Sequence, residues 1–518
     1  MGGNYAGSLY RDYEHITEKY ESVKKELDVL KYKYRLQEQL IARLKAEEAA
    51  QASKEKDLAA QVEALKKEVA RLTALHDADS TNSGLPTSKT PLHKKKHIPN
   101  SRPKTDKRIG GQPGHPQKKL EPFRDEEVTE HEVHRQPVCP ECGGELEQID
   151  DGSTRDELDY EVTVRKIRHH FPNCRCKKCG KTTQAKIPRT LSADNQYGAR
   201  TRALILALAN DGNMSMNKIG RTISGLTGGE LCPSDGYIAK QQSFAAQRLE
   251  SFTQELQKEL RSLSLLYWDD TVIMINKRRG CLRFYGDERL AYYCAHERKN
   301  KEGLDQDNIL PLLPATTTVM HDHNTVNYNK EYSFSNIECN VHLLRDLQKV
   351  TDNLGHAWSG EMKELLERTN QERNKATAQG IKCFGGDKEQ DFYNTFDGLL
   401  LKGLEENEAE KAGRYYVSDE KALLARLLKY KDNYVAWVSN WSLPFSNNLS
   451  ERSLRGVKSK QKVSGQFQNV ATAKCYAQIR SYIETCYRNG INVVYALECL
   501  CNDKPLSLHQ ILNKDADL

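Results

Sequence analysis

Apolar residues near the amino terminus recur at alternating steps of four and three. Ile16, Tyr20, Val23, Leu27, Leu30, Tyr34, Ile41 and Leu44 hold one register, and Leu58, Val62, Leu65, Val69 and Leu72 resume it in phase. Residues 10–75 contain neither Pro nor Gly. The pattern predicts a long helix whose seam is buried only against a second helix, hence a coiled coil over 1–75 that pairs two chains in parallel. Gln37, Glu48, Gln51 and Glu55 fall in the same seam and predict a weak middle, a hairpin or a break. The alternative is an amphipathic helix folded back on its own protein.

Helical periodicity returns in a segment over 191–262. It predicts helices at 197–210 and 217–226, then a third, capped by Ser234, that runs through Tyr237 and Ile238 into 241–260. The turn Thr227-Gly228-Gly229 suggests a helix-turn-helix, but no basic recognition face accompanies it, which favours packing. The period then shortens to that of strands. Residues 263–268 are apolar, meet Asp269-Asp270-Thr271 and continue as Val272-Ile273-Met274-Ile275. One or two strands follow over 281–295, a short helix over 304–313, and a strand over 316–320 that stops at His321-Asp322. Leu365, Leu366, Phe392, Phe396, Leu399, Leu400, Leu423, Leu424, Leu427, Leu428 and Trp437 predict an all-helical insertion over 351–440.

At 518 residues the chain is long enough for several domains. No apolar run approaches the roughly 18 residues of a membrane-spanning helix, and the first residues lack a signal-peptide core. No membrane contact and a cytoplasmic, nucleoid-associated location are therefore expected. The net charge of +6 is unevenly spread. Residues 86–119 carry ten Lys or Arg, including Lys94, Lys95, Lys96, Arg102, Lys104, Lys107 and Arg108, against the single acid Asp106. This stretch, within a Ser, Thr, Pro and Gly-rich segment over 76–125, has few apolar groups to offset chain entropy, and its cations suit the phosphates of DNA.

Of fourteen cysteines, five lie between Cys139 and Cys179. Cys139-Pro-Glu-Cys142-Gly143 and Cys176-Lys-Lys-Cys179-Gly180 are two knuckles separated by a stretch of strand character at Tyr160, Val162, Val164 and Ile167. Two such turns supply the four thiolates of one structural Zn²⁺, a zinc ribbon over 126–190 with Cys174 as a bystander or alternative ligand. A closed site of this kind is not catalytic. Two buried strands that each deliver an Asp at their end, Asp269 and Asp322, are how a nuclease of the ribonuclease-H type begins a divalent-metal site. The third acid is not selected by composition.

Four motifs, Tyr267-Trp-Asp-Asp-Thr271, Val319-Met-His-Asp322, Cys339-Asn-Val-His342-Leu-Leu-Arg345 and Asn447-Asn-Leu-Ser-Glu451-Arg-Ser-Leu-Arg455, together resemble the transposases of the insertion-sequence-66 family. Asn82-Ser83 and Gly110-Gly-Gln-Pro-Gly-His115 upstream, and Ser481-Tyr-Ile-Glu-Thr485 downstream, follow that family's order of parts. The resemblance implies a multidomain chain with an α/β ribonuclease-H-like core, its first part at 263–350 and its last helices at 441–518. It also implies a DDE transposase that binds terminal repeats and target DNA. Asp269, Asp322 and Glu451 would hold two Mg²⁺ per active site about 4 Å apart for strand cleavage and transfer. His342 and Arg345 lie near that site in the family and fit either scissile-phosphate contact or core packing. Arg452, Arg455 and Lys458 follow Glu451 as DNA-binding cations, and Asp270 stands where the family usually has Glu. Ser446 and the missing Trp after Glu451 depart from the pattern and bear on DNA-end positioning. Small accessory proteins are further implied partners. The competing readings are a catalytically silent DNA-bridging protein and a nuclease without strand transfer.

Overall fold

The structure, a computed structural model, describes residues 5–77, 121–150, 152–191, 193–410 and 416–513. The chain divides into two compact units, Met1–Ser101 and Arg102–Leu518. The basic stretch at Lys94, Lys95, Lys96, Arg102, Lys104, Lys107 and Arg108 lies outside the described residues.

Among its described residues the first unit contains one helix, α1 (Tyr5–Asp77). Its middle neither breaks nor turns back, so the hairpin or break offered for residues 37–55 does not occur. The polar residues there, Gln37, Glu48, Gln51 and Glu55, are good helix formers set among alanines, so they interrupt the seam without interrupting the backbone. Seam side chains including Ile16, Tyr20, Leu27, Leu30, Ile41 and Leu58 are exposed.

In the second unit, residues 121–191 form two cysteine turns and a short hairpin, β1 (Asn173–Arg175) with β2 (Thr182–Gln184). The strand character at 160–167 does not become a strand. Tyr160, Val162 and Ile167 are exposed, with no neighbouring edge to complete a ladder. Helices α2 (Ala199–Asn210), α3 (Met216–Leu226), α4 (Asp235–Arg248) and α5 (Glu250–Leu260) follow. Ser234 caps α4 by accepting the Tyr237 N–H at 3.3 Å. Ile205, Ile219, Ile223 and Ile238 make the shared core of α2, α3 and α4.

A five-stranded sheet comes next, formed by β3 (Leu265–Ile275), β4 (Arg278–Gly286), β5 (Ala291–His296), β6 (Thr318–His321) and β7 (Ser335–Glu338). Its spatial order is β5-β4-β3-β6-β7, the first three antiparallel and the last two parallel to β3. Asn276 and Lys277 turn β3 into β4 with φ of 45° and 63°, the left-handed pair a two-residue hairpin needs. The helix expected over 304–313 is instead α6 (Lys301–Gln306) and a separate 3-10 turn (Leu310–Leu312), parted at Asn308 with φ of 54°.

Helices α7 (Asn340–Leu354), α8 (Ala357–Ala378), α9 (Gly386–Ala409) and α10 (Val417–Ser439) then form their own core around Trp358, Phe396 and Trp437. Helices α11 (Asn448–Ser464) and α12 (Val470–Arg488) return to the sheet, where Leu454, Val457, Tyr476 and Ala477 cover Ile273, Phe284 and Tyr293. Helices α13 (Val493–Cys501) and α14 (Leu508–Asn513) close the unit.

One buried charge organises α8 to α10. Fully buried Glu420 accepts from Trp358 Nε1 and Asn407 Nδ2, each at 2.7 Å, and its Oε1 lies 2.7 Å from His356 Nδ1. Burial pulls the His356 pKa down, but the hydrogen bond and charge of Glu420 outweigh it, so the net shift is upward. The stabilisation this provides is complete below the unfolded pKa of about 6.5 and is lost as pH rises through the higher folded value. His356→Gln should therefore lower stability by about 1–3 kcal/mol near pH 6, and denaturant titrations should show the gap narrowing on the alkaline side.

Candidate active site

The parallel pairing of β3 with β6 ends where Tyr267 stands opposite Met320. Two residues further along each chain, on the same face, come Asp269 and Asp322. Asp269 is not at a strand end, as the sequence suggested. It sits inside the eleven-residue β3, at the level where β6 has stopped and only the β4 hairpin continues. On the far side of β6, His321 pairs with Glu338, and the next residue, Cys339, opens α7. Asp269, Asp322 and Cys339 are thus delivered to one edge by three neighbouring strands.

Burial first, and then the like charge of Asp322, push the Asp269 pKa well above its usual range. His342, one turn into α7, places Nδ1 3.1 Å from Asp322 Oδ1 and Nε2 3.9 Å from Glu451 Oε1. The hydrogen bond to Asp322 and the neighbouring Cys339 raise the imidazole to about 10, so His342 is a cation among carboxylates at neutral pH. Ligand atoms of Asp322, Cys339 and His342 lie within 4.8 Å of one another.

Glu451 arrives from the first turn of α11. What fixes that turn is Asn447, which is completely buried: its Nδ2 donates to Trp268 O at 2.9 Å and its N–H to Cys339 Sγ at 3.2 Å. One residue therefore ties the Glu451 helix to β3 beside Asp269 through its side chain and to the start of α7 through its backbone N–H. Asp322 Oδ1 and Glu451 Oε1 are buried and, His342 apart, have no polar partner among the described residues. Acidic oxygens left unsatisfied around an electrostatically crowded pair suit a hard divalent cation such as Mg²⁺. Cys339 adds a softer flank.

The remaining candidates divide clearly. Arg452, Arg455 and Lys458 are exposed and line one stripe of α11. Arg345 is exposed one turn beyond His342, its Nη1 3.2 Å from His342 Nε2. Asp270 points away from Asp269, its Oδ1 accepting from Lys299 Nζ at 2.7 Å. Asn447 belonged to a recognised motif, but its anchoring role had no signal in residue type or spacing.

The two cysteine turns are built alike. Gly143 and Gly180 adopt φ of 72° and 71°, and their N–H groups donate to Cys139 O and Cys176 O, each at 2.8 Å. Backbone N–H groups of Cys142 and Glu141 lower the Cys139 pKa, and those of Cys179 and Lys178 do the same for Cys176, which favours the thiolates a metal takes up. Cys139 and Cys142 are not gathered with Cys176 and Cys179 into one cluster; among the described residues the only groups of three or more close ligands are Asp322, Cys339, His342 and Cys294, His296, Asp307. Cys174 sits in β1 beside the second turn.

Residues 194–475, more than half of the chain, match the family model of the transposase IS66 family, and this span contains Asp269, Asp322 and Glu451. The chain belongs to the IS66 transposase family. Residues 136–180, both cysteine turns included, match the zinc-finger binding domain of transposase IS66. A search of the curated proteins returns no match. The IS66 assignment makes the chain a DNA-binding, DNA-processing protein with a zinc-finger domain, a helical amino-terminal unit and a mixed sheet with helices in its core. No described helix is long and apolar enough to cross a membrane. Asn447→Ala, which removes the bond to Trp268 O, should cost about 1–3 kcal/mol in denaturant titration.

Proposed function

We propose that this IS66-family chain is a DDE transposase that cuts DNA at element ends and joins the freed ends to target DNA. The observation that carries the reading is the convergence of Asp269, Asp322 and Glu451, from two strands and a distant helix, around His342. The strand order β5-β4-β3-β6-β7, with acids on the first and fourth strands in sequence and the last acid on a later helix, supports a ribonuclease-H-like core. The helices α8 to α10, within residues 351–440, would form its insertion.

Asp269, Asp322 and Glu451 would hold Mg²⁺, whose chemistry when bound is to polarise a phosphoryl oxygen and acidify an attacking water or hydroxyl. The protein's own groups position the reactants. Arg452, Arg455 and Lys458 face solvent beside Glu451 and hold the phosphate backbone, with Arg345 on the adjoining helix. In the first reaction a water oxygen bonds to phosphorus and the 3′-oxygen of the element strand leaves as a hydroxyl. In the second that hydroxyl attacks a phosphorus of the target, and the target's own 3′-oxygen leaves. Neither step needs a covalent protein intermediate.

Zn²⁺ would join the two cysteine turns through Cys139, Cys142, Cys176 and Cys179, and that module with the basic stretch at 86–119 would read the terminal repeats. The exposed seam of α1 supports a homodimer that synapses two ends. Small accessory proteins of the same element complete the proposed partners.

Two measurements test this. Glu451→Gln keeps the side chain's size but removes its charge. With labelled DNA carrying the element's ends and Mg²⁺, it should bind as wild type does while cleavage and joining fall by more than about 100-fold. Equal binding with no reaction by either protein, accessory proteins added, would favour a silent DNA-bridging role. Separately, the double substitution Leu27→Lys, Leu30→Lys should shift the sedimenting species from dimer to monomer, and an unchanged dimer would remove the coiled coil from the reading.

A further inference from the structure

Lys460 lies on α11, nine residues beyond Glu451, and unlike exposed Arg452, Arg455 and Lys458 it turns inward. Its ammonium sits 5.1 Å from the ring centre of Tyr476 and 5.6 Å from that of Phe467, and it donates to Ser464 Oγ at 3.1 Å. No carboxylate pairs with it among the described residues, and burial alone brings its pKa down to about 8. Half-burying a cation with no counter-charge carries a cost, and rings and one hydroxyl offset part of it.

The same lysine lines a cavity of about 180 Å³ between α2, α4, α11 and α12. Met214, Ile238, Phe467 and Tyr476 make its apolar walls. Asn210 adds a polar one: it is fully buried, its Nδ2 donates to Leu206 O, and its Oδ1 has no partner. Met216 and Gln468 at the rim are exposed, so the cavity has an entrance. One wall is pinned to the strand that carries Asp269, because the Phe467 N–H donates to Met274 O and Phe467 O accepts from the Asn276 N–H, both at 2.9 Å. Lys460 lies roughly 14 Å along the helix axis from Glu451, the length of about four stacked base steps.

An apolar slot walled by Phe467 and Tyr476, whose rings pack on each other at 5.4 Å, with one cation that no carboxylate pairs, matches a single unstacked nucleotide: the base lies against this aromatic wall and its phosphate meets Lys460. We propose that this cavity receives one nucleobase extruded from the DNA end held at the Glu451 helix. The inference rests on the transposase reading and adds to it a second contact, which would fix how far the end advances into the active site.

The test uses full-length protein and duplexes carrying the terminal repeats that flank its own gene, with 2-aminopurine placed singly at successive positions from the end inward. Fluorescence anisotropy reports binding, and 2-aminopurine emission reports unstacking. Emission should rise several-fold on binding at one position only. Lys460→Met, which keeps length and apolar bulk, and Gln242→Trp, which fills the cavity from α4, should each abolish that rise while DNA affinity falls less than tenfold. The melting temperature of Lys460→Met should stay level or rise, as expected when a half-buried charge without a carboxylate partner is removed. If that variant instead fails to fold, Gln242→Trp decides alone. Wild-type binding with no emission rise, or a rise that survives the blocking variants, overturns the cavity assignment and leaves the transposase reading standing. A failure of wild type to bind end DNA removes both.

Discussion

Two carboxylates that repel each other are forced side by side by backbone register. With Tyr267 opposite Met320, a step of two residues along each parallel strand leaves Asp269 and Asp322 neighbours on one face, partly shielded from water. Separating them would require breaking the β3–β6 ladder. The surroundings are arranged to tolerate them instead: His342 sits between Asp322 and Glu451 as a compensating cation.

The rest of the second unit can be seen as scaffolding for that arrangement. Glu451 is 129 positions from Asp322 in sequence, and a whole four-helix core intervenes. Bringing the two together within one helix diameter depends on Asn447, whose amide reads the backbone of Trp268 across a separation of 179 residues. Because this anchor is neutral and hydrogen-bonded, it holds its place without adding to the charge problem it serves. Beyond it, α11 presents cations to solvent on one side and apolar residues to the sheet on the other, so one helix couples the site to both core and surface.

How much of this could be read from the residues varies with the range of the interaction. The α1 periodicity, the cysteine turns and the helix cap at Ser234 are local and legible. The strands β3, β4 and β6 were visible because buried strands concentrate apolar residues, whereas β7, only Ser335–Glu338, is too short and polar to signal itself. The break at Asn308 and the unbroken middle of α1 show opposite errors: a single left-handed residue divides a seemingly continuous helix, and polar residues with high helix propensity bridge a seemingly broken one. Asp269 and Asp322 stood out as acids among apolar neighbours. Their adjacency was a matter of register; the family resemblance put His342 near them, whereas the closeness of Cys339 followed from a strand that was not foreseen.

The length of α1 has a geometric consequence of its own. Seventy-three helical residues without a break make a rod of about 110 Å, the contour of roughly 32 base pairs. On so long a lever the sense of pairing matters more than its strength. Two such rods laid side by side in the same direction keep their carboxyl ends together, while opposed rods send them to opposite extremes of the shaft. The polarity of such a pair would then decide whether the chains that continue from the two helices set out from one point or from opposite ends of the shaft.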